Sequence, residues 1–427
     1  MPQLTYSLAD FLKVKYPSWR VLSTIAKENP AWAMAQKQTD GGATSYNYVI
    51  EYSIPNRAAG FAAAQNNAGR TRHAELALTF ADDFGVIQIE QKLIEGAKNG
   101  GPGGADAFVK IIESQTQGVM TALNNSLGRS MFGDGSGSLG TIAAGTNLAT
   151  TTLGLAREAD IVHFYVGMEL VFAATTAAAL RSATNLGVTA VNEEAATITL
   201  DATPNSLAAG IAVGDQIFTE GDYATAGARS LMRGFGAWIP LTAPAVGGTA
   251  FFGFDRGVDP TGLAGYRFAD STAAYAGYQT EDAIRLLGWR IARGGGVAKT
   301  CFADHERVDD LIKSVGSKEE FCKSVPVKMG DGRVVAELGF DGVKVRTASG
   351  VVEVFPDRSC SHDTIWVGDM EKVKVISIGE APHWITDPNN SNRARTMDTA
   401  AAVECRLAAW PQMAIKRPKS WGRFDWT

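Results

Sequence analysis

Residues 45–54 read SYNYVIEYSI, and this stretch decides the first element of the fold. Its alternate positions are aromatic or β-branched: Tyr46, Tyr48, Ile50, Tyr52 and Ile54. A period of two in such residues predicts a β-strand with one apolar face. Any partner of this strand must offer a matching apolar surface.

A polar stretch follows at residues 56–71, and beyond it the alternation returns. The apolar positions of the second run are Leu76, Leu78, Phe80, Ile87 and Ile89. Two alternating runs joined by a polar tip predict a long β-hairpin. Because an isolated two-stranded ribbon is at best marginally stable in water, we expect the hairpin to lie on something else, either the same chain or a neighbouring one.

The strongest helical pattern comes after GGPGG at residues 100–104. Apolar residues recur there at spacings of three and four: Phe108, Ile111, Ile112, Val119, Leu123 and Leu127. Asp106 suits the N-cap, and the glycine-rich residues 131–140 end the pattern. We predict one helix of about 25 residues, longer than the usual 8–20 of globular domains.

The C-terminal half mixes helices and strands without a regular order. Helical spacing predicts amphipathic helices at residues 280–293 and 303–315, short β-like runs follow between 337 and 377, and a late extended segment covers 400–414. This is an α+β pattern and differs from the regular βαβ alternation of a doubly wound sheet.

Charge is distributed unevenly along the chain. Residues 1–27 carry four basic residues against Asp10, whereas residues 160–224 carry eight carboxylate residues against Arg181 alone. The acidic segment consists of short β-like runs separated by turns every 8–12 residues or so, which is typical of a small barrel or sandwich. We infer an acidic all-β domain inserted in a near-neutral host. The basic arm is interpreted as a solvated segment, with contact to an acidic partner or nucleic acid as the minority alternative.

Composition limits the class of protein. The 427 residues are 45% hydrophobic and 20% charged with a net charge of −5, which excludes wholesale disorder and lacks the basic excess of dedicated nucleic-acid-binding domains. The four cysteines form no CxxC pair, which favours a reducing compartment. We expect neither a secretory signal nor a membrane-spanning segment, because every uncharged stretch is rich in glycine, alanine or proline.

The search for catalytic, cofactor or metal motifs finds none that is complete. GSGSLG at residues 135–140 has the dinucleotide-binding spacing, but it follows a predicted helix instead of a strand. GGGVAKT at residues 294–300 lacks the glycine that a phosphate loop needs before its lysine. The Cys/His neighbours are Cys301 with His305 and Cys360 with His362. Neither pair offers the four ligands of structural zinc, so we predict no enzyme, no cofactor and no metal.

The C-terminal segment KRPKSWGRFDWT, residues 416–427, interleaves basic and aromatic residues. Stacking on single-stranded nucleic acid is one interpretation. Docking on the same fold or on a neighbour is favoured, since Trp and Arg are the usual residues at interface centres. The candidate assembly residues are therefore Tyr46, Tyr48, Ile50, Tyr52, Leu76, Leu78, Phe80, Trp421, Arg423 and Trp426.

The order of these elements resembles that of tailed-bacteriophage major capsid proteins of the Hong Kong 97 type. The segments most similar to that family are ELGFDGVKV (337–345), HDTIWVGDMEKVKVISIGEAPHWI (362–385) and the final residues 400–424. The resemblance divides the chain into an N-terminal arm (1–44), an E-loop hairpin (45–103), a P-domain spine helix with the following linker (104–158), an acidic β insertion domain (159–225), P-domain joining strands (226–277), an A-domain (278–398), and the final P-domain strand with the C-terminal tail (399–427).

The resemblance implies a subunit that assembles into hexamers and pentamers of an icosahedral shell around packaged double-stranded DNA. Hairpin and arm would make contacts between subunits and rearrange during procapsid maturation. The implied location is the virion, after assembly in the host cytoplasm. The implied partners are other copies of the chain, a portal, decoration proteins and, because no long charged coiled-coil segment precedes the arm, a separate scaffolding protein. We expect the acidic domain on the exterior of the shell and the basic arm on its interior, near the DNA.

Two alternatives remain open. One is an encapsulin-like nanocompartment shell of the same fold, which would lack portal and scaffold partners. The other is an enzyme or carbohydrate-binding module that uses the β-domain at residues 160–224. An activity retained by the isolated monomer would favour the second alternative.

Overall fold

The computed structural model describes residues 29–42, 45–53, 59–66, 72–92, 95, 101–176, 178–182, 184–206, 210–223, 231–315, 321–322, 325–328, 334–338, 342–386, 394–397 and 401–426. Most of the predicted N-terminal arm and half of the predicted hairpin tip lie outside these residues. Helices and strands are both abundant, so the predicted mixed α+β class is confirmed.

The helices are α1 (Pro30–Met34), α2 (Phe61–Asn66), α3 (Gly101–Phe132), α4 (Phe235–Trp238), α5 (Pro260–Ala264), α6 (Thr280–Arg293) and α7 (His305–Val315). The first strands are β1 (Gln36–Gln38), β2 (Ser45–Ser53), β3 (Arg72–Thr79), β4 (Asp83–Glu90), β5 (Ser138–Thr141), β6 (Thr152–Gly154), β7 (Glu169–Ala173), β8 (Leu186–Asn192), β9 (Thr197–Leu200), β10 (Gln216–Thr219), β11 (Tyr266–Ala269) and β12 (Thr300–Ala303). The later strands are β13 (Phe321–Cys322), β14 (Val325–Lys328), β15 (Val334–Leu338), β16 (Gly342–Thr347), β17 (Gly350–Pro356), β18 (Thr364–Gly368), β19 (Val373–Ser377), β20 (His383–Trp384), β21 (Ala394–Thr396), β22 (Ala402–Ala409), β23 (Pro411–Ile415) and β24 (Gly422–Asp425).

The long helix α3 spans 32 residues and ends at Phe132, where the glycine-rich stretch begins. Its predicted start is wrong, because the helix begins at Gly101 and not after an Asp106 cap. Pro102 falls in the first turn, where its missing N–H would have no intrahelical partner, so proline is tolerated there. Among the described residues, no helix is long and apolar enough to cross a membrane.

The hairpin consists of β2 and β3, paired antiparallel. Its apolar face lies in the chain's own largest core, where Ile50, Leu76 and Leu78 are each at most 2% exposed. The edge of β3 is also fixed, since the Ala77 N–H donates to the Phe252 carbonyl at 3.0 Å. The sequence left open whether this face packs on the same chain or on a neighbour, and the structure shows the same chain.

Strand β4 does not belong to the hairpin, which corrects the prediction for Ile87 and Ile89. It pairs along its whole length with β22 from the end of the chain. Gly85, Ile87 and Ile89 point to the buried side, where Gly85 lies close to Val119 of α3. The pairing therefore joins the long helix to the late strands in one core.

The C-terminal strand β24 lies inside a seven-stranded sheet of order β11-β24-β18-β12-β17-β16-β13. It pairs parallel with β11 and antiparallel with β18. Helices α6 and α7 pack on this sheet and share its core with Phe424. Within the segment predicted as the final P-domain strand with the C-terminal tail (399–427), β22 joins β4, β23 joins β19, and β24 joins this seven-stranded sheet.

A six-stranded sheet of order β5-β10-β7-β8-β9-β6 forms a separate unit, called here the β unit. Its core contains Leu139 and Leu153, so the unit begins near residue 138 and the predicted linker up to residue 158 belongs to it. The chain enters and leaves at one place. The Gly234 N–H donates to the Gly133 carbonyl at 3.1 Å, and the Leu231 N–H to the Gly135 carbonyl at 3.4 Å.

This crossing point predicts a large effect of one methyl group. A Cβ on Gly234 would lie 2.1 Å from the Ser130 carbonyl oxygen and 2.2 Å from that of Met131. Both are backbone atoms, so we expect Gly234→Ala to lower the free energy of unfolding by about 1–3 kcal/mol, measured by urea denaturation. Gly118→Ala in α3, where a Cβ meets nothing within 4 Å, is the control and should unfold at the same urea concentration or a higher one. Equal midpoints for Gly234→Ala and the wild type would contradict the packing.

Candidate assembly interface

One side of strand β4, in the sheet that it forms with β20, β21 and β22, is open to solvent. Along β4 the buried positions alternate with exposed ones, and the exposed side carries Phe84 and Val86 at 56% and 45% of their accessible surface. Phe84 contacts Trp410 edge-on, with ring centroids 6.3 Å apart. We call Phe84, Val86 and Trp410 the outer face. Adjacent exposed apolar side chains of this kind are typical of protein–protein contact surfaces.

The hairpin also exposes apolar side chains away from its buried face. Val49 on β2 is 51% exposed, and Phe61 on α2, which lies between the two hairpin strands in sequence, is 84% exposed. When another surface covers a phenylalanine that is exposed to this degree, the free energy falls because apolar surface is removed from water. The hairpin therefore has one face fixed in its own chain, and Phe61 is available to a second chain.

The predicted assembly residues on the hairpin lie mainly inside the chain. Ile50, Leu76 and Leu78 are buried, and the partly buried residues packed against the same core are Tyr46, Tyr48, Tyr52 and Phe80. The structure thus gives these side chains an intramolecular role, and their part in contacts between subunits stays a prediction.

The C-terminal candidates also contact their own chain. Trp421 is fully buried, with its ring centroid 4.5 Å from that of Phe235. Arg423 donates to the Ile239 carbonyl at 3.1 Å, and the Trp426 indole N–H donates to the Tyr278 carbonyl at 2.9 Å. Of the two docking sites that the sequence allowed, own fold or neighbour, the structure shows the chain's own fold.

The β unit meets the rest of the chain through charged groups, which we call the polar joint. Arg129 of α3 pairs with Asp222 at 3.0 Å, and Asp83 of β4 lies beside both. Burial raises the pKa of Asp83 to about 7; a hydrogen bond from Ser126 opposes this shift and the nearby Asp222 adds to it. Two carboxylates thus share one arginine, which favours a proton on one of them at neutral pH.

The second half of the polar joint lies beyond α3. Arg157 pairs with Asp363 at 2.9 Å, and Arg358 donates to the Val162 carbonyl at 3.1 Å. Burial raises the pKa of Asp160 to about 6 and lowers that of His163 to about 3. A cavity of about 360 Å³ runs between these groups. The β unit is therefore held by polar contacts that range from the partly buried Arg129–Asp222 pair to the more exposed Arg157–Asp363 pair.

Asp83 makes the polar joint sensitive to pH. Its pKa is higher in the folded chain than the unfolded value of about 3.9, so its contribution to stability is complete below about pH 4 and is lost as the pH rises through 7. We expect Asp83→Asn, which keeps the uncharged form, to exceed the wild type in melting temperature by a few °C at pH 8 but not at pH 4. His163 titrates in the opposite sense, and comparing the two proteins at each pH cancels its effect. Asp82→Asn at the exposed neighbour is the control, and a constant difference between Asp83→Asn and wild type across pH would refute the assignment.

The Cys/His neighbours do not meet as ligands. Cys301 and Cys360 are buried, and burial raises the pKa of both thiols. His362 instead faces two carboxylates, with Nδ1 3.5 Å from Asp304 and 3.4 Å from Glu306. Asp304 also accepts the Glu306 N–H at 3.2 Å at the start of α7, while His362 Nδ1 is buried without a hydrogen-bond partner among the described residues.

No protein-family model and no curated protein matches the sequence. Among solved structures, the chain is similar to the capsid asymmetric unit of cyanophage A-1(L), with 10% identity over 93% of this chain and 92% of that one and a TM-score of 0.49. It is also similar to the holo-SrpI encapsulin complex of Synechococcus elongatus PCC 7942, with 8% identity, coverage of 93% and 87%, and a TM-score of 0.42. A third similar structure is the satellite phage P4 procapsid that includes the size determination protein, with 7% identity, coverage of 96% and 98%, and a TM-score of 0.36.

The exposed residues of the outer face were not among those predicted from the sequence. The segment DFGVIQIE (83–90) carries apolar residues on both sides of its alternation, Phe84 and Val86 on one and Ile87 and Ile89 on the other. That pattern could have indicated a second contact surface, because a strand with one solvated face normally carries polar residues on that face. No sequence pattern predicted the charged groups of the polar joint, since Asp83, Arg129 and Asp222 are far apart in the sequence.

Proposed function

We propose that this chain is the major capsid protein of a tailed double-stranded DNA bacteriophage. It assembles into hexamers and pentamers that form an icosahedral shell, in the host cytoplasm, and it persists in the virion. Its role is structural, with no catalytic step. Its partners are further copies of itself, a separate scaffolding protein, a portal and decoration proteins.

The observation that carries this proposal is the outer face. The sheet of β4 and β22 buries one side against α3 and exposes Phe84 and Val86 on the other. A shell subunit needs such surfaces on a rigid body, because each contact is weak and the shell gains stability from many repeats. The segment between the two hairpin strands supports the same function, since Phe61 on α2 is 84% exposed.

The proposed division of the chain follows the resemblance, with the boundaries that the sheets indicate. The hairpin is the E-loop, α3 is the spine of the P-domain, and the sheet with α6 and α7 is the A-domain. The β unit is the insertion domain and faces outward, because its excess of acidic over basic residues is unsuited to lie against DNA. We propose that hairpin and arm move during procapsid maturation.

Electron microscopy of the overexpressed chain, with light scattering on the same sample, tests the function. Closed icosahedral particles, or rings of six and five with polyheads, support a shell subunit. Closed particles that enclose a protein cargo and require neither portal nor scaffold would indicate a nanocompartment shell instead. A stable monomer after co-expression with neighbouring genes would refute the proposal, and ligand binding or turnover by that monomer would indicate the module alternative.

A further inference from the structure

Four basic side chains line one cleft between the solvent-exposed side of the hairpin and the turn before β24. They are Lys372, Lys416, Arg417 and Lys419, and the cleft encloses about 670 Å³. Two of these residues sit at the ends of neighbouring strands, because the Lys416 N–H donates to the Lys372 carbonyl at 2.8 Å. The strand pairing therefore brings together charges that are remote in sequence.

The turn that carries the other two is fixed in place. Arg417 donates to the carbonyls of Gly294 and Gly295 at 3.2 and 3.0 Å, which orients its guanidinium at the end of α6. The single-turn helix Pro418–Ser420 follows, and the buried Trp421 holds its far end. The basic groups are thus presented on a rigid scaffold and not on a loose tail.

The cleft has more positive than negative charge. Within the described part of the chain, no carboxylate forms an ion pair within 4 Å of Lys416, Arg417 or Lys419. Its two carboxylates are Glu51 on β2 and Asp259. Asp259 already accepts the Gly262 N–H at 2.9 Å as the cap of α5.

The surroundings extend this positive region. Burial raises the pKa of Tyr266, and nearby arginines that include Arg293 and Arg417 oppose this shift. Both arginines therefore lie close to the Tyr266 hydroxyl. Glu371, the carboxylate next to Lys372 in sequence, is held by Lys299 at 2.7 Å. Like charges in one cleft repel each other, so an anion that spans them lowers the free energy of the site.

We propose that this cleft binds the phosphodiester backbone of nucleic acid without reading its sequence. Flexible lysine side chains are suited to phosphate as point charges, and sequence-independent binding needs only such contacts. The inference rests on the proposed shell function and deepens it, since it names the surface that contacts the packaged genome. It differs from the interpretation of the tail as an aromatic stacking segment, because Trp421 is buried and only the basic residues before it are available.

The test measures binding of the full-length unassembled chain to a random-sequence 20-base-pair duplex by fluorescence anisotropy between 50 and 200 mM salt. We expect Lys416→Ser/Lys419→Ser to bind at least about tenfold more weakly at 50 mM salt. The slope of log affinity against log salt should fall by about two, because each phosphate contact contributes about 0.9. The matched control is Lys313→Ser/Lys344→Ser, which removes the same charge at lysines paired with Asp309 and Glu353 and should bind like wild type.

Two results would overturn the proposal. Equal weakening by the control variant would show that overall charge, and not the cleft, governs binding. Displacement of the duplex by polyglutamate at equal charge concentration would assign the cleft to an acidic protein. Particle formation, followed by electron microscopy, separates this inference from the proposed function. Shells formed by the cleft variant with weakened DNA binding support both, whereas wild-type DNA binding through the cleft without any shells refutes the function alone.

Discussion

We expect Phe84→Asp to prevent shell formation while the chain itself stays folded. Phe84 is 56% exposed in the single chain, so a carboxylate there remains in water and costs little stability. In a shell the same side chain would be covered by another subunit. The variant would lose the burial of a phenylalanine, worth about 1.5–3 kcal/mol, and would bury a charge in its place.

The expected size of this effect follows from affinity arithmetic. A loss of about 1.4 kcal/mol per contact weakens each contact tenfold, and a shell repeats the contact many times. We therefore expect the subunit concentration at which particles appear to rise more than tenfold. Light scattering against subunit concentration measures it, and circular dichroism with thermal melting verifies that the fold is retained.

Two matched variants separate the effect of the position from the effect of introducing an aspartate. Val86 of the outer face and Val213 of the β unit are 45% and 47% exposed. Val86→Asp should impair assembly as Phe84→Asp does, and Val213→Asp should assemble like wild type. Unimpaired particles from both outer-face variants would remove the observation on which the proposed function depends.

The largest effect on stability is expected for Trp421→Ala. The side chain is fully buried, and its indole N–H donates to the Asp369 carbonyl at 3.1 Å. The ring fits against Gly368, where even a Cβ would lie 2.2 Å from a ring carbon. Removing it leaves a cavity and takes one of two hydrogen bonds from the Asp369 carbonyl, which also accepts the Lys372 N–H at 3.1 Å. The loss should lower the free energy of unfolding by about 3–5 kcal/mol.

Thermal and urea denaturation measure this loss, with Trp289→Ala as the control. Trp289 lies on α6 and is 36% exposed, so its truncation should cost clearly less than truncation of the fully buried Trp421. If the two variants unfolded alike, the tail would not be docked as the structure shows. Particle assays on Trp421→Ala are uninformative about the interface, because a loss of folding also prevents assembly.

Local periodicity accounted for the elements that were predicted correctly. The alternation around Ile50 identified β2, and helical spacing identified α6 and most of α3. The order of hairpin, long helix, β-rich segment and mixed helix–strand region followed from these elements. Local signals sufficed because side-chain period is a property of the segment itself.

Periodicity within a segment could not predict which strands pair when the partners are far apart in the sequence. Ile87 and Ile89 showed an alternating strand, but nothing near them indicated that its partner is β22. Phe424 was seen as part of an interface segment, whereas its strand lies in the middle of a sheet between β11 and β18. The start of the β unit was missed because residues 138–158 are rich in Gly, Ala and Thr, and their few core residues, such as Leu139 and Leu153, are sparse.

The point where the β unit joins the chain has a practical consequence. Entry and exit are linked by hydrogen bonds between backbone groups at Gly133 and Gly234, so a cut made there leaves two ends already side by side. Domain replacement is favoured where the two ends of a segment lie side by side. A short glycine linker should therefore substitute for the whole unit, and a foreign domain with neighbouring ends should graft at the same site. In the proposed shell the same site would recur once per subunit and would suit multivalent display.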